Sequence, residues 1–280
     1  MASLLAALQQ HETALAALTE AQALALYRVV LEYKNAVVAQ LGAYSRLRPQ
    51  DVAEILLGLD GLLEALSARL LLNMSQTLRL THALALQHHL EIAALQGAGL
   101  DLSPVRARVL AALADTTLVE QYSAGLYAKG TQEAIRNGLI SAVLRGQTQE
   151  ETAKTLSALT SVSKARGDLI VRMEMARAYS VAAETAAEES PGTWDKMIVE
   201  VIDSRNHPFS RAANGTKALP GERFKVSASD VRAAARAMGR RVGTVLWPES
   251  GGFYRGSHLP AHYNDRGRVI PWSRDWKGLP

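Results

Sequence analysis

The sequence contains no cysteine, which excludes disulfide frameworks, thiolate nucleophiles and cysteine-ligated zinc fingers. Aromatic residues make up only 5%, so helical interfaces must be built from Leu and Ala. The first ten residues hold a short apolar run with no basic segment before it, so a secretory leader is not expected. The apolar window Val52 to Leu72 carries Glu54, Asp60, Glu64 and Arg69, a charge density that argues against a bilayer span. No P-loop, G-x-S-x-G or H-E-x-x-H is present, so the usual signatures of phosphate cradling, acyl transfer and zinc proteolysis lend no support to an enzyme. These absences predict a soluble chain made inside a cell, with no cofactor and no catalytic residues.

What is present is unevenly spread. Residues 191–280 hold 15 Lys/Arg against 8 Asp/Glu, a net of +7, whereas the first 190 residues carry a net of −3. All four Trp, all three Phe and seven of the nine Pro also lie after residue 190. A joint change in charge, aromatics and chain breakers marks a boundary, placed at Ser190-Pro191-Gly192. The expected fold class is mainly α, with long N-terminal amphipathic helices followed by a small C-terminal α+β module. In sequence order the regions are 1–100 (long helices), 101–190 (further helices) and 191–280 (the basic module).

Leu4, Leu8, His11, Leu15 and Leu18 recur at steps of four and three, the stripe of one long helix from residue 3 to about 41. Gly42 is a natural stop, and Pro49 suits the first turn of a second helix. That helix reaches toward Gln96, with Asn73 to Thr77 as a weak point. Ser103-Pro104 reads as a cap opening a third helix. Gly130-Thr131 is expected to separate it from a helix over Gln132 to Arg145, and Thr148 to Glu151 reads as a capping box. A last helix is expected from about Lys164 to Glu189. Such stripes must pack on one another or on a partner, so an internally closed bundle and a homo-oligomer or docking surface both stand.

After residue 190 the period becomes two. Trp194 to Ile202 alternates like a strand, and Arg223 to Val226, Thr244 to Trp247 and Arg268 to Pro271 are further candidates. Ser229 is the expected cap of a helix over Asp230 to Gly239. The aromatic side chains of this module read as exposed.

The stretch Asp203 to Gly215, D-S-R-N-H-P-F-S-R-A-A-N-G, resembles the core motif of the phage head-morphogenesis family typified by the Mu F protein. Asp203, Arg205, Pro208, Arg211, Ala212 and Gly215 fall in register, with Pro220 and Phe224 following. Upstream, Arg172, Glu174, Arg177 and Ala178 are similar to the family's arginine–glutamate helix. The run from Ile135 through Gly138, Gly146 and Gln147 to Glu151 is similar to the stretch that precedes it. Downstream, His262, Asn264 and Arg266 agree with the family's H-P-N-C-R-C ending, whose two cysteines are replaced here. The resemblance covers roughly the last half of the chain. It implies a structural minor capsid protein, present in few copies near the portal vertex inside the head. Such a protein assists assembly and in some cases is ejected with the DNA, and the expected partners are the portal protein, the major capsid protein or both. Some members carry fused enzymatic domains, and none is expected here because the module runs to Pro280.

Asp203 and Arg205 read either as an acid–base or phosphate-contacting pair or as a turn brace. Bracing is favoured, since Asp commonly accepts backbone N–H bonds at turns. His207, His258, His262, Asp203 and Asp265 are the residues a metal-dependent nuclease or hydrolase would use, but Pro260 breaks the His258/His262 spacing and no metal is expected. His82, His88 and His89 read as solvated or core-edge. Arg232, Arg236 and Arg240 recur every four residues as one helical stripe with Arg241 beside it. This suits contact with DNA phosphates or an acidic partner, as in a free DNA-binding protein, and equally a solvated face. The overall expectation is a minor head protein located in the virion, made in host cytoplasm, with no membrane involved in assembly.

Overall fold

The computed structural model describes residues 2–42, 49–97, 125–145, 147–189, 194–200, 202–257, 259, 261–262 and 265–276. Helices α1 (Ala2–Leu41) and α2 (Pro49–Leu95) open the chain, followed by α3 (Gly125–Leu144) and α4 (Gln149–Glu189). Short elements then alternate: β1 (Trp194–Val199), α5 (Pro208–Ala213), β2 (Lys217–Ala218), β3 (Phe224–Ser227), α6 (Ala228–Ala237), β4 (Glu249–Ser250), β5 (Phe253–Gly256) and β6 (Arg268–Ser273). The chain is mainly α, with long N-terminal helices and a small C-terminal α+β part.

Local chemistry accounts for most boundaries. Helix α2 takes Pro49 in its first turn, with Asp51 facing the positive end of the helix dipole. It passes the Asn73–Thr77 stretch unbroken. The Asn73 amide and Thr77 hydroxyl donate to carbonyls one turn earlier, at 2.9 and 2.8 Å, so these polar groups do not compete with the ladder. The capping box opens α4: Thr148 N–H donates to Glu151 at 2.8 Å, and Glu151 N–H donates to Thr148 Oγ1 at 3.3 Å.

Several expectations are corrected. Gly130-Thr131 lies inside α3, because one interior glycine costs only about 1 kcal/mol relative to alanine. The helix expected from Lys164 is the second half of α4, which runs on from the capping box. β1 ends at Val199, short of Ile202. The cap of α6 is Ser227, which accepts from Asp230 N–H at 3.3 Å, while Ser229 lies inside the helix with its hydroxyl 2.6 Å from that of Ser227. Thr244 to Trp247 forms no strand, because Trp247 turns into the core and Leu246 N–H donates to Ala261 O. The Ser190–Gly192 boundary and the Ser103-Pro104 cap lie outside the described residues.

The chain forms two compact units, each assembled from segments distant in sequence. One comprises Thr19–Thr77 and Asp115–Val171. Its buried residues include Leu26, Val30 and Val37 of α1, Leu70 and Met74 of α2, Leu139 of α3 and Leu156 of α4. Arg69 pairs with Glu32 at 2.6 Å, and Thr77 Oγ1 lies 2.9 Å from the Gln22 side-chain amide, tying α1 to α2. Among the described residues α1, from Ala6 to Leu41, is long and apolar enough to cross a bilayer by length and composition alone.

The other unit comprises Met1–Leu18, Leu78–Ala114 and Arg172–Pro280. Two antiparallel sheets, ordered β2-β1-β6 and β3-β5-β4, sit in it. Alternation along β1 sends Ile198 into a core with Ala183, Phe209, Phe224, Val231, Trp247 and Val269. Met197 and Val199, on the opposite face of β1, pack with Leu4, Ile92, Ile270 and Trp272. The tryptophans expected at the surface are thus drawn inward: Trp194, Trp247 and Trp272 are buried, as are Phe209 and Phe224. With so few rings in the chain, the small sheets use them as their main apolar mass.

Two polar clasps complete this unit. His11 stacks on His88 at 3.6 Å and its Nε2 meets Glu91 at 2.7 Å, while His88 and His89 both contact Tyr179 of α4. His82, His88 and His89 are therefore buried and not solvated, and burial lowers them to about 4, 4 and 3. At the open edge of β6, the Gln96 side chain donates to Pro271 O at 3.1 Å and accepts from Ser273 N–H at 2.7 Å. Pro271, which has no N–H, belongs on such an edge. Gln96→Leu should leave a buried donor and acceptor unpaired and lower stability by roughly 1–3 kcal/mol, read from the urea unfolding midpoint. An unchanged midpoint would show that Gln96 contributes nothing there.

Candidate functional site

The sequence after β1 must turn sharply, and polar side chains hold that turn. Asp203 accepts from Arg205 N–H at 2.8 Å and from the Arg205 guanidinium at 3.1 Å. Arg266 grips the same carboxylate as a fork, with Nη1 on Oδ2 at 3.0 Å and Nη2 on Oδ1 at 2.8 Å. Asp203 N–H in turn donates to the Asn206 side chain. The Arg266 fork, followed by the Arg205 backbone bond, holds the Asp203 carboxyl well below the usual range.

From the far side, Arg240 donates to the carbonyls of Asn206 and Ser204 at 2.9 and 2.8 Å. This corrects the four-residue stripe. Helix α6 ends at Ala237, Gly239 turns at φ +62°, and Arg240 leaves the helix to brace the turn. Arg232 and Arg236 remain on α6, and Arg232 lies 3.6 Å from Glu249.

His207 then caps α5, its Nδ1 accepting from Phe209 N–H at 3.1 Å, with Pro208 in the first turn. The helix ends at Asn214, whose side chain accepts from Glu200 N–H at 2.9 Å, and Gly215 turns at φ +80° to donate to Ile198 O at 2.8 Å. The motif glycine is required by that left-handed backbone.

Beneath the turn lies a buried polar network. Ser210 Oγ meets His262 Nε2 at 2.8 Å, and the His207 and His262 rings stack at 4.3 Å. Asp265 accepts from Ala261 N–H at 2.7 Å and from Gly267 N–H at 2.8 Å. Burial lowers His207 and His262 to about 4. Burial, reinforced by Asp265, raises Glu200 well above the ordinary carboxyl value, and burial raises Asp265 in turn. The neutral His207 ring carries its proton on Nε2, because Nδ1 is an acceptor. That N–H and Glu200 Oε1 are both buried without a partner among the described residues.

A Ser–His hydrogen bond has the geometry of a nucleophile and its base. Ser210 and His262 are 2% and 4% exposed, so here it faces the interior and ties α5 to the segment before β6. Among the described residues no group of three or more His, Asp or Glu is arranged to hold a metal ion; His258 and Asn264 lie outside them.

The structure thus brings together Asp203, Arg205, Pro208, Gly215, Arg240, His262 and Arg266. Arg172, Glu174 and Arg177 lie apart on α4, where Glu174 is 4.0 Å from Arg177 and is raised by burial. Arg211 and Arg241 are exposed. Sequence reasoning missed Glu200, Ser210, Asn206 and Asn214. A lone carboxylate following an apolar alternation, and asparagines on both sides of the motif, were the available signals.

These features define a helical protein bearing a small basic α+β module whose motif residues act as braces. Residues 133–238 match the family model described as Phage Mu protein F like protein, which bears out the resemblance carried by the motifs over α3 to α6. Over that stretch, which is less than half of the chain, the protein is similar to a family of phage head-morphogenesis proteins. His262 and Arg266 lie beyond the matched range. No curated protein and no solved structure matches the chain.

Gly215→Ala should cost about 1–2 kcal/mol in unfolding experiments, through backbone strain alone, since no neighbour lies within 4 Å of the added Cβ. Glu200→Gln should change the pH profile. A raised carboxyl contributes stability fully present below its unfolded value and lost as pH rises through its folded value, so the Gln variant should lose less between pH 5 and 8. The lowered histidines contribute stability present above pH 6.5 and lost as pH falls toward 4, so the acid limb should persist. Urea midpoints across that range check both limbs.

Proposed function

We propose that this protein is a phage minor head protein, present in few copies near the portal vertex. Its long helices bind the portal protein, the major capsid protein or further copies of itself. Its basic module faces packaged DNA, with which the chain is ejected. The observation carrying this reading is the family match over residues 133–238. The module's chemistry supports it: Asp203 and Arg266 hold each other and Arg240 fixes the turn through backbone carbonyls while keeping its charge, as suits a part that bears load.

Within this reading the exposed leucines of α2, Leu57 and Leu72, and Leu144 of α3, at 75, 60 and 81% exposure, are surfaces that assembly would cover. Mass spectrometry of purified intact heads should find the chain at a few copies per particle. Heads that lack it would sink the proposal.

A further inference from the structure

The arginines that the sequence arranges as a helical stripe are regrouped by the fold. Arg240 is pinned over Ser204 and Asn206, so the C-terminal end of α6 lies against the 203–206 turn. Arg236, one turn earlier, and Arg241, the next residue, are carried to the same end of the module. There they join Arg205, whose side chain is 77% exposed. Arg236, Arg240 and Arg241 are exposed as well, and no ion pair joins Arg236 or Arg241 to another described residue.

The nearby acids do not cancel this charge. Asp203 is shared between Arg205 and Arg266. Glu200 and Asp265 are buried, where desolvation favours their neutral forms. Glu12 of α1 is the remaining carboxylate whose field reaches Arg266. Two of the guanidiniums are also held before any ligand arrives, Arg240 by carbonyls and Arg205 by Asp203, which reduces the ordering cost of binding.

We infer that this arginine end seats the sugar–phosphate backbone of duplex DNA without regard to sequence. Single strands are held by stacking on exposed rings, and here Trp194, Trp247, Trp272, Phe209 and Phe224 are buried, while the exposed Phe253 pairs with Ser227 at the start of α6 and not at its arginine-bearing end. A protein partner calls for an apolar centre inside a polar rim, whereas Ile202 is a single exposed apolar side chain beside the turn and no further large one is exposed between Asp203 and Arg211 or between Arg236 and Arg241. Guanidinium forks match phosphate geometry, and each phosphate neutralised releases counterions. The inference deepens the proposed contact with packaged DNA and rests on that reading for its biological setting.

The test uses the purified full-length chain and a labelled random-sequence duplex of about 30 base pairs, followed by fluorescence anisotropy from about 50 to 300 mM NaCl. Four arginines predict a slope of log K against log salt of about −3 to −4. The double variant Arg236→Ala/Arg241→Ala should flatten that slope by about two and weaken binding about tenfold at 100 mM salt. Arg236→Lys/Arg241→Lys should keep the slope. Circular dichroism confirms folding, and Arg236→Gln/Arg241→Gln replaces the alanine pair if that pair unfolds.

An unchanged slope in a folded neutral variant overturns the inference. So does a single strand that binds more tightly than the duplex, or poly-glutamate that displaces the duplex at equal charge. Absence from heads would sink the proposed function while leaving this binding measurable, so the two failures are distinguishable.

Discussion

The fork between Arg266 and Asp203 is the constraint on which the module depends. β1 and β6 end their ladder at Val199 opposite Arg268, and beyond that pair the two chains diverge. Asp203 lies four residues past one strand end and Arg266 two residues before the other, so their side chains form one more rung where backbone pairing has stopped. An isolated exposed ion pair contributes little. This one is bidentate and shares its carboxylate with a backbone N–H and a second guanidinium, which makes it geometrically specific. With the rung in place, His207 and Pro208 start α5 at a defined spot, and Gly215 brings the chain back to Ile198.

Around that rung the module separates its charges. Glu200, Asp265, His207 and His262 lie inside, held toward their neutral forms by desolvation, while Arg205, Arg236, Arg240 and Arg241 lie outside and Arg266 at the rim. A buried network of this kind specifies one arrangement only if its members are hydrogen-bonded, and most are: Ser210 with His262, Asp265 with two backbone N–H groups, His207 with the start of α5. Lys196 and Arg268, both buried, are inward exceptions to the outward basic charge; Arg268 lies over the Tyr179 ring. Lys196 is the more deeply placed of the two. It is fully buried, 2.5 Å from Glu184 and 2.9 Å from Ser257 O, and so ties α4 to the sheets with its partner in place.

Much of the helical part was legible because its signals are local. The leucine stripe of α1, the first-turn proline of α2 and the Thr148–Glu151 box depend on neighbours within one or two turns. The strands β1, β3 and β6 could be read from a two-residue period, though Ile202 was counted in and Ser227 left out. What could not be read depended on partners far away. The Arg232–Arg236–Arg240 spacing suggests one stripe, and only the left-handed glycine at 239 and the carbonyls of Ser204 and Asn206 remove Arg240 from it. Trp247 looked like strand and surface, yet Phe209 and Phe224 draw it inside. Asp203 and Arg205 announced a turn. Their third partner, Arg266, is more than sixty residues on, and its role is invisible without the β1–β6 pairing. Nor does the linear change in charge at residue 190 show that each compact unit is assembled from separate stretches of α1, α2 and α4.

The side-chain amide of Gln96 has a wider meaning for how copies of this chain can meet. A sheet margin normally offers a row of free donors and acceptors that a stray extended segment can zip onto. Here glutamine already occupies the rung beside Pro271 and Ser273, and the proline removes a further donor. Strand-to-strand polymerisation is thereby disfavoured along β6.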